Sequence, residues 1–155
     1  MGRKRDCPRS HCPINFALEA LGDAWTLLVL RDVILLGKRR FKDFLESDEK
    51  IATNILADRL ARLTKAGILL KEEEPGATAY RPTEKGLDLI PLMLELSLWG
   101  ARYDKDTAAP PEVIAKLRRD RAGFAAVVRE RALRGETSVP LPGPKRRKKR
   151  GSGSA

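Results

Sequence analysis

The chain has 155 residues and a formal net charge of +10, with 42% hydrophobic and 34% charged side chains. That length supports one domain with a core plus short extensions, and apolar runs such as residues 25–30 are broken by charge well before membrane-spanning length. The basic balance favours a polyanion partner, nucleic acid or an anionic membrane surface. Six of the cations are consecutive, KRRKKR at residues 145–150, and these read equally well as a solvated tail.

Residues 1–11 form a basic arm with no signal-type apolar segment behind it. Two cysteines, Cys7 and Cys12, are too few and too local for a disulfide scaffold, which fits a reducing cytoplasm. Ile14, Ala17, Leu18 and Leu21 recur at helical spacing and stop at Gly22. Asp23 is placed to cap the next helix, whose body AWTLLVLRDVILL is apolar on most sides and is expected to be the core spine. Residues 37–40 (GKRR) read as a basic turn or short strand, and Phe41, Phe44 and Leu45 anchor a short helix ending in the polar loop SDEK.

The most informative stretch is residues 51–70, IATNILADRLARLTKAGILL. Leu56, Leu60 and Leu63 make a stripe on one helix face; Asn54, Asp58, Ala61 and Lys65 fall on another, flanked by Arg59 and Arg62. Gly67 ends the helix, and an apolar strand-like run opens a hairpin turning at Pro75-Gly76. Thr83 caps a helix expected over residues 84–99, in which Pro91 predicts a kink or break. Residues 101–111 read as a linker. Residues 112–134 read as one basic amphipathic helix for dimerisation, and 135–155 as a Pro/Gly-punctuated disordered tail whose GSGSA end has the look of an expression scar.

Alone, the leucine-striped helix is an ordinary amphipathic helix. In the order helix, helix, short helix, helix, hairpin, helix, it becomes the reading helix of a winged helix-turn-helix: mainly α with a small β-hairpin wing and C-terminal dimerisation helices. Cys12-Pro13 followed by ALEALGDAWTLLVLRD, then GKRRFKDF, then IATNILADRLARLTKAGIL with TEKG at residues 83–86, resembles the HxlR-type family of bacterial winged-helix transcriptional regulators, relatives of the MarR group. The resemblance covers roughly residues 12–100. It implies a homodimeric regulator, expected to be a repressor, on a pseudo-palindromic operator. Many members carry a cysteine at the position of Cys12, and in some it senses oxidants or electrophiles. Many also have Ser-Pro at the start of the reading helix, where this chain has Ala52-Thr53.

In this frame Thr53 and Asn54 face base edges, Thr meeting a thymine methyl and Asn an adenine, with simple N-capping as the alternative. Arg59 and Arg62 are in reach of phosphates, Arg59 being as well placed to pair with a glutamate of the hairpin. Lys38, Arg39, Arg40 and Lys42 suit backbone contacts, or form a solvated basic turn. Glu72, Glu73 and Glu74 would be repelled by DNA, which leaves Lys71 and Arg81 as the wing's contacts. Cys12 is the redox-sensing candidate, at a helix start where the macrodipole favours negative charge and next to His11; an inert cysteine packed in a dimer interface is the alternative. Cys7, His11 and Cys12 do not have zinc-site spacing, so neither metal nor cofactor is expected. With no Walker loop, no GxGxxG and a single histidine, no enzyme is expected. The expected partners are double-stranded DNA, a second copy and a small-molecule or oxidant effector, not a membrane. A non-specific DNA-binding protein and a winged-helix protein-interaction module stand as alternatives.

Overall fold

Proline at a first helical position loses nothing by lacking an N–H, and Pro13 opens α1 (Pro13–Leu21) in the computed structural model, which describes residues 9–139. The arm residues before 9, with Cys7, and the tail after 139, with the cations at 145–150, lie outside the described residues. α1 closes at Gly22, whose N–H donates to the Leu18 carbonyl at 2.8 Å. Asp23 then caps α2 (Ala24–Ile34), accepting from the Thr26 N–H at 3.0 Å and the Thr26 hydroxyl at 2.5 Å. Val29, Leu30, Val33 and Ile34 of α2 are all buried, so this helix is the spine of the core.

α3 (Phe41–Leu45) is a single turn anchored by buried Phe44, and Asp43 reaches back to the Arg40 N–H at 3.0 Å. α4 (Thr53–Lys65) lays Leu56, Leu60 and Leu63 against α2. Gly67, at φ +69°, turns the chain into β1 (Leu69–Glu74), a conformation that L side chains rarely adopt. β2 (Ala77–Pro82) pairs antiparallel with β1, Leu69 opposite Pro82 and Glu74 opposite Ala77, across the Pro75-Gly76 turn. The segment before α3 adds a single bridge, Arg40 to Ala79. These elements are the helix-turn-helix and its wing.

Thr83 caps α5 (Glu84–Leu87) by accepting from the Gly86 N–H, and a Cβ at Gly86 would lie 2.3 Å from the Ile68 carbonyl oxygen, so only glycine lets this turn sit on the start of the hairpin. The helix expected over residues 84–99 is in fact two, α5 and α6 (Ile90–Tyr103). Pro91 is the reason: inside a continuous helix its ring would meet the Leu87 carbonyl, whereas at the start of α6 it costs nothing. α6 also runs three residues into the stretch expected as linker.

Residues 112–134 likewise form two helices, α7 (Pro111–Arg119) and α8 (Arg121–Arg134). Asp120 breaks them: its carboxylate accepts from the Gly123 N–H at 2.8 Å and starts a new helix instead of continuing the old one. Leu117, Phe124, Val128 and Ala132 are buried in the chain's own core, against α6, α2 and β2. The apolar stripe that suggested dimerisation through these helices is therefore covered within one chain, with Val127 and Leu133 left exposed. Past Gly135 the backbone returns to the end of α2, Ser138 N–H donating to the Leu35 carbonyl at 2.7 Å. Among the described residues no single helix is long and apolar enough to cross a membrane.

Candidate nucleic-acid interface

The turn that joins α3 to α4 is held from below by a charge. Asp32 is 3% exposed in the middle of the apolar face of α2. One carboxylate oxygen takes two bonds from Arg31, at 2.9 and 2.7 Å; the other takes the Ser47 hydroxyl and the Lys38 ammonium, the latter at 3.4 Å. Lys38 also donates to the Ser47 hydroxyl oxygen at 2.5 Å. Arg31 continues to Glu49 at 2.5 and 3.0 Å. Burial works against the Arg31 charge, but Glu49 and Asp32 outweigh it and hold the guanidinium above its ordinary range. Ser47 and Glu49 lie in the loop, so α2 grips the turn at two points just ahead of α4. Lys50 then takes φ +55° and Ile51 is buried before the helix begins.

What α4 shows to solvent follows from this placement. Thr53 and Asn54 are exposed at its first turn. Thr53 is not the cap: Ala52 occupies that position with extended backbone, and no side chain caps the helix. Uncapped N–H groups at a helix start suit a phosphate oxygen. Arg62 is exposed, 3.8 Å from Asp58, and Lys42 is exposed on α3 with no ion-pair partner among the described residues. These four side chains share the surface of α3 and α4.

The remaining expected contacts are occupied. Lys38 is bound to Asp32 and Ser47 beneath the turn. Arg39 donates to the Leu133 carbonyl at 3.0 Å and lies against Gly135; burial and neighbouring Arg81 push its guanidinium down from its ordinary value. Arg40 pairs with Glu74 at 3.2 Å, Lys71 with Glu73 at 3.3 Å, and Arg81 with Glu72. The wing neutralises itself. Arg59 is tied to a carboxylate, but to Asp23 of the α1–α2 corner at 2.9 Å rather than to a hairpin glutamate. Cys12 stands exposed as the N-cap of α1, with its thiol free, so within one chain it is not packed away. The residues not anticipated here are Asp32 and Ser47. A carboxylate inside the run AWTLLVLRDVILL is itself the signal, because a buried charge must find cations nearby.

A turn-linked helix pair with an exposed helix start and a hairpin behind it defines a winged helix-turn-helix, a DNA-binding class. The profile of the HxlR-like helix-turn-helix family matches residues 20–108. The HTH-type transcriptional regulator Rv3095 of Mycobacterium tuberculosis is 32% identical over 140 residues, covering 84% of this chain and 85% of that protein. A match of that span necessarily extends past residue 108 into α7. Among solved structures, PA1607, a proposed transcription factor, superposes with a TM-score of 0.58 at 33% identity over 66% of this chain and 73% of its own. The redox regulator HypR in its oxidised form superposes with a TM-score of 0.55 at 28% identity over 62% of this chain and the whole of its own. The chain belongs to the HxlR-like helix-turn-helix family and is a DNA-binding transcriptional regulator.

The grip on the turn has a pH signature. The Arg31 hydrogen bond holds the Glu49 carboxyl below its usual 4.5, against the opposing effect of burial. A carboxyl with a lowered folded-state pKa adds stability that is present above 4.5 and is lost as pH falls through the folded value. Urea midpoints measured from pH 7 down to pH 3 are expected to drop below about 4.5, and Glu49→Gln is expected to flatten that acid limb while lowering the midpoint at pH 7. An unchanged acid limb in Glu49→Gln would show that the pair contributes nothing.

Proposed function

We propose that this protein is a cytoplasmic homodimeric repressor that recognises a pseudo-palindromic operator through α4. The observation that carries this reading is the joint exposure of Thr53 and Asn54 at the uncapped start of α4, with Arg62 exposed further along the same helix and Lys42 exposed on α3. Asn54 reads a base edge and Thr53 a thymine methyl or a phosphate, while Lys42 and Arg62 fix the register on the backbone. Binding of two half-sites blocks a promoter.

The contact with a second copy is supported by apolar surface left exposed on two helices. On α1, Ile14 is 71%, Phe16 66% and Leu18 59% exposed, and on α6 Trp99 is 67% exposed, its ring 5.3 Å from that of exposed Tyr103 and tilted by 50° to it. Apolar surface of this kind on two helices marks an interaction site. Cys12 caps the same α1, so modification of its thiol falls at the edge of the dimer contact, and the likeness to a redox regulator supports an oxidant or electrophile as the signal.

Selection of bound DNA from a random pool is expected to return an inverted repeat with half-site centres roughly one helical turn, about 10 bp, apart. Asn54→Ala is expected to relax the preference at one position per half-site by about 1–3 kcal/mol. A pool without an enriched motif, and binding that disappears with salt, would mean a non-specific binder. Sedimentation should give a dimer that Phe16→Asp converts to monomer with its fold intact; a monomeric parent protein would contradict the reading. Oxidant treatment should change operator affinity in the parent and leave Cys12→Ser unaffected, and an equal response in both would exclude Cys12 as the sensor.

A further inference from the structure

Arg59 stands midway along α4 and turns away from the surface. Its side chain is 20% exposed, Nε donating to Asp23 Oδ1 at 2.9 Å and Nη1 to Asp58 Oδ2 at 2.5 Å. Asp23 also touches the two helices of the corner. Its carboxylate caps α2 through Thr26, and its own N–H donates to the Leu21 carbonyl at the end of α1 at 2.8 Å. The Asp23 hydrogen bond raises the Arg59 guanidinium above its ordinary value against burial. Burial would raise the Asp23 carboxyl, but the hydrogen bonds from Thr26 and Arg59 outweigh it and hold it below its ordinary value. The two carboxylates hold Arg59 by Nε and Nη1, and swinging those atoms out to a phosphate would break two charge-assisted bonds.

We propose that Arg59 is a positioning residue: its pair with Asp23 sets the lie of α4 against the α1–α2 corner, and so ties the placement of Thr53 and Asn54 to the orientation of α1, the helix that starts at Cys12. The inference rests on α4 being the DNA-reading helix. Leu56, Leu60 and Leu63 bury α4 against α2, but burial is non-directional and tolerates sliding and rotation. A guanidinium–carboxylate bond has direction, and among the described residues this is the one ion pair joining α4 to the corner.

The test is a titration of the full chain with its selected operator across a range of salt concentrations, for the parent, Asp23→Asn, Arg59→Gln, Arg59→Lys and the double variant Asp23→Asn/Arg59→Gln. Asparagine caps a helix as well as aspartate does, so Asp23→Asn keeps the α2 cap and removes only the charge of the pair. It also deletes a negative charge near DNA, which by simple electrostatics strengthens binding. Asp23→Asn and Arg59→Gln are each expected to weaken operator binding about tenfold. The slope of log affinity against log salt and the affinity for non-specific DNA should not change, the double variant should be no weaker than the worse single one, and Arg59→Lys should recover part of the loss. A slope reduced by about 0.9 per lost contact in Arg59→Gln, with Asp23→Asn binding as tightly as the parent or more so, overturns the inference and makes Arg59 a phosphate contact. The two substitutions lie on different elements, so either one that keeps its native circular dichroism decides. A parent without operator preference overturns the DNA-reading role of α4 and this inference with it; a parent with preference and contact-type variants overturns this inference alone.

Discussion

A carboxylate buried among aliphatic side chains is tolerated only if its oxygens are met, and Asp32 meets that condition by drawing three neighbours to itself. Arg31 comes from its own helix, Lys38 from the segment before α3, and Ser47 from the loop after it. Each of these side chains is fixed because Asp32 is. Through Arg31 the network reaches Glu49, so the loop is pinned on both sides of Asp48. Apolar packing alone would bury α4 without fixing how far along α2 it starts. A saturated polar network in a low-dielectric setting does fix it, since any slip leaves a charge unpaired. The placement of the helix-turn-helix therefore depends on one acidic side chain that an apolar core would otherwise exclude.

The same bookkeeping governs the surface. A net charge of +10 suggests a protein covered in free cations, yet around the helix-turn-helix and wing most of them are spent on nearby carboxylates or carbonyl groups. Pairing of this kind adds little stability when exposed, but it decides which cations a phosphate can recruit without competition. On the wing, three consecutive glutamates face Arg40, Arg81 and Lys71, and the result is a hairpin with little net attraction for DNA. On α3 Lys42 has no ion-pair partner among the described residues, and on α4 Arg62 has only a long one, to Asp58 at 3.8 Å.

The architecture was legible in the sequence to a large extent because it rests on local signals. Leu56, Leu60 and Leu63 carry helical period, Gly67 and Pro75-Gly76 punctuate the chain, and Asp23 and Thr83 are strong caps; each of these acts over a few residues, and each is found in place. Where two local signals compete, the outcome was less plain. Asp120 can continue an amphipathic helix or start a new one, and the carboxylate bond to Gly123 settles it only in three dimensions. The site was far less legible. Lys38, Arg39, Arg40, Arg59, Lys71 and Arg81 look alike as letters, and their availability depends on partners up to 94 positions away, as for Arg39 and Leu133. Thr53 resembles a cap, but Ala52 already holds the extended backbone that a cap requires.

The C-terminal helices add to the shared fold beyond the stretch that the family profile covers. The family profile ends at residue 108, and α7 and α8 lie wholly beyond it. Their apolar residues, Leu117, Phe124, Val128 and Ala132, do not wait for a second chain but close over α6 and α2. The backbone after Gly135 then docks on Leu35, and Arg39 is drawn to the Leu133 carbonyl. The segment preceding α3 is thus held by Asp32 on one side and by α8 on the other. Because one face of α6 is covered by α7 and α8, its remaining apolar side chains, Leu92, Leu96, Trp99 and Tyr103, are left to meet solvent or a second chain. The extension thus leaves exposed apolar side chains on α1, on the outer face of α6, and at Val127 and Leu133 of α8.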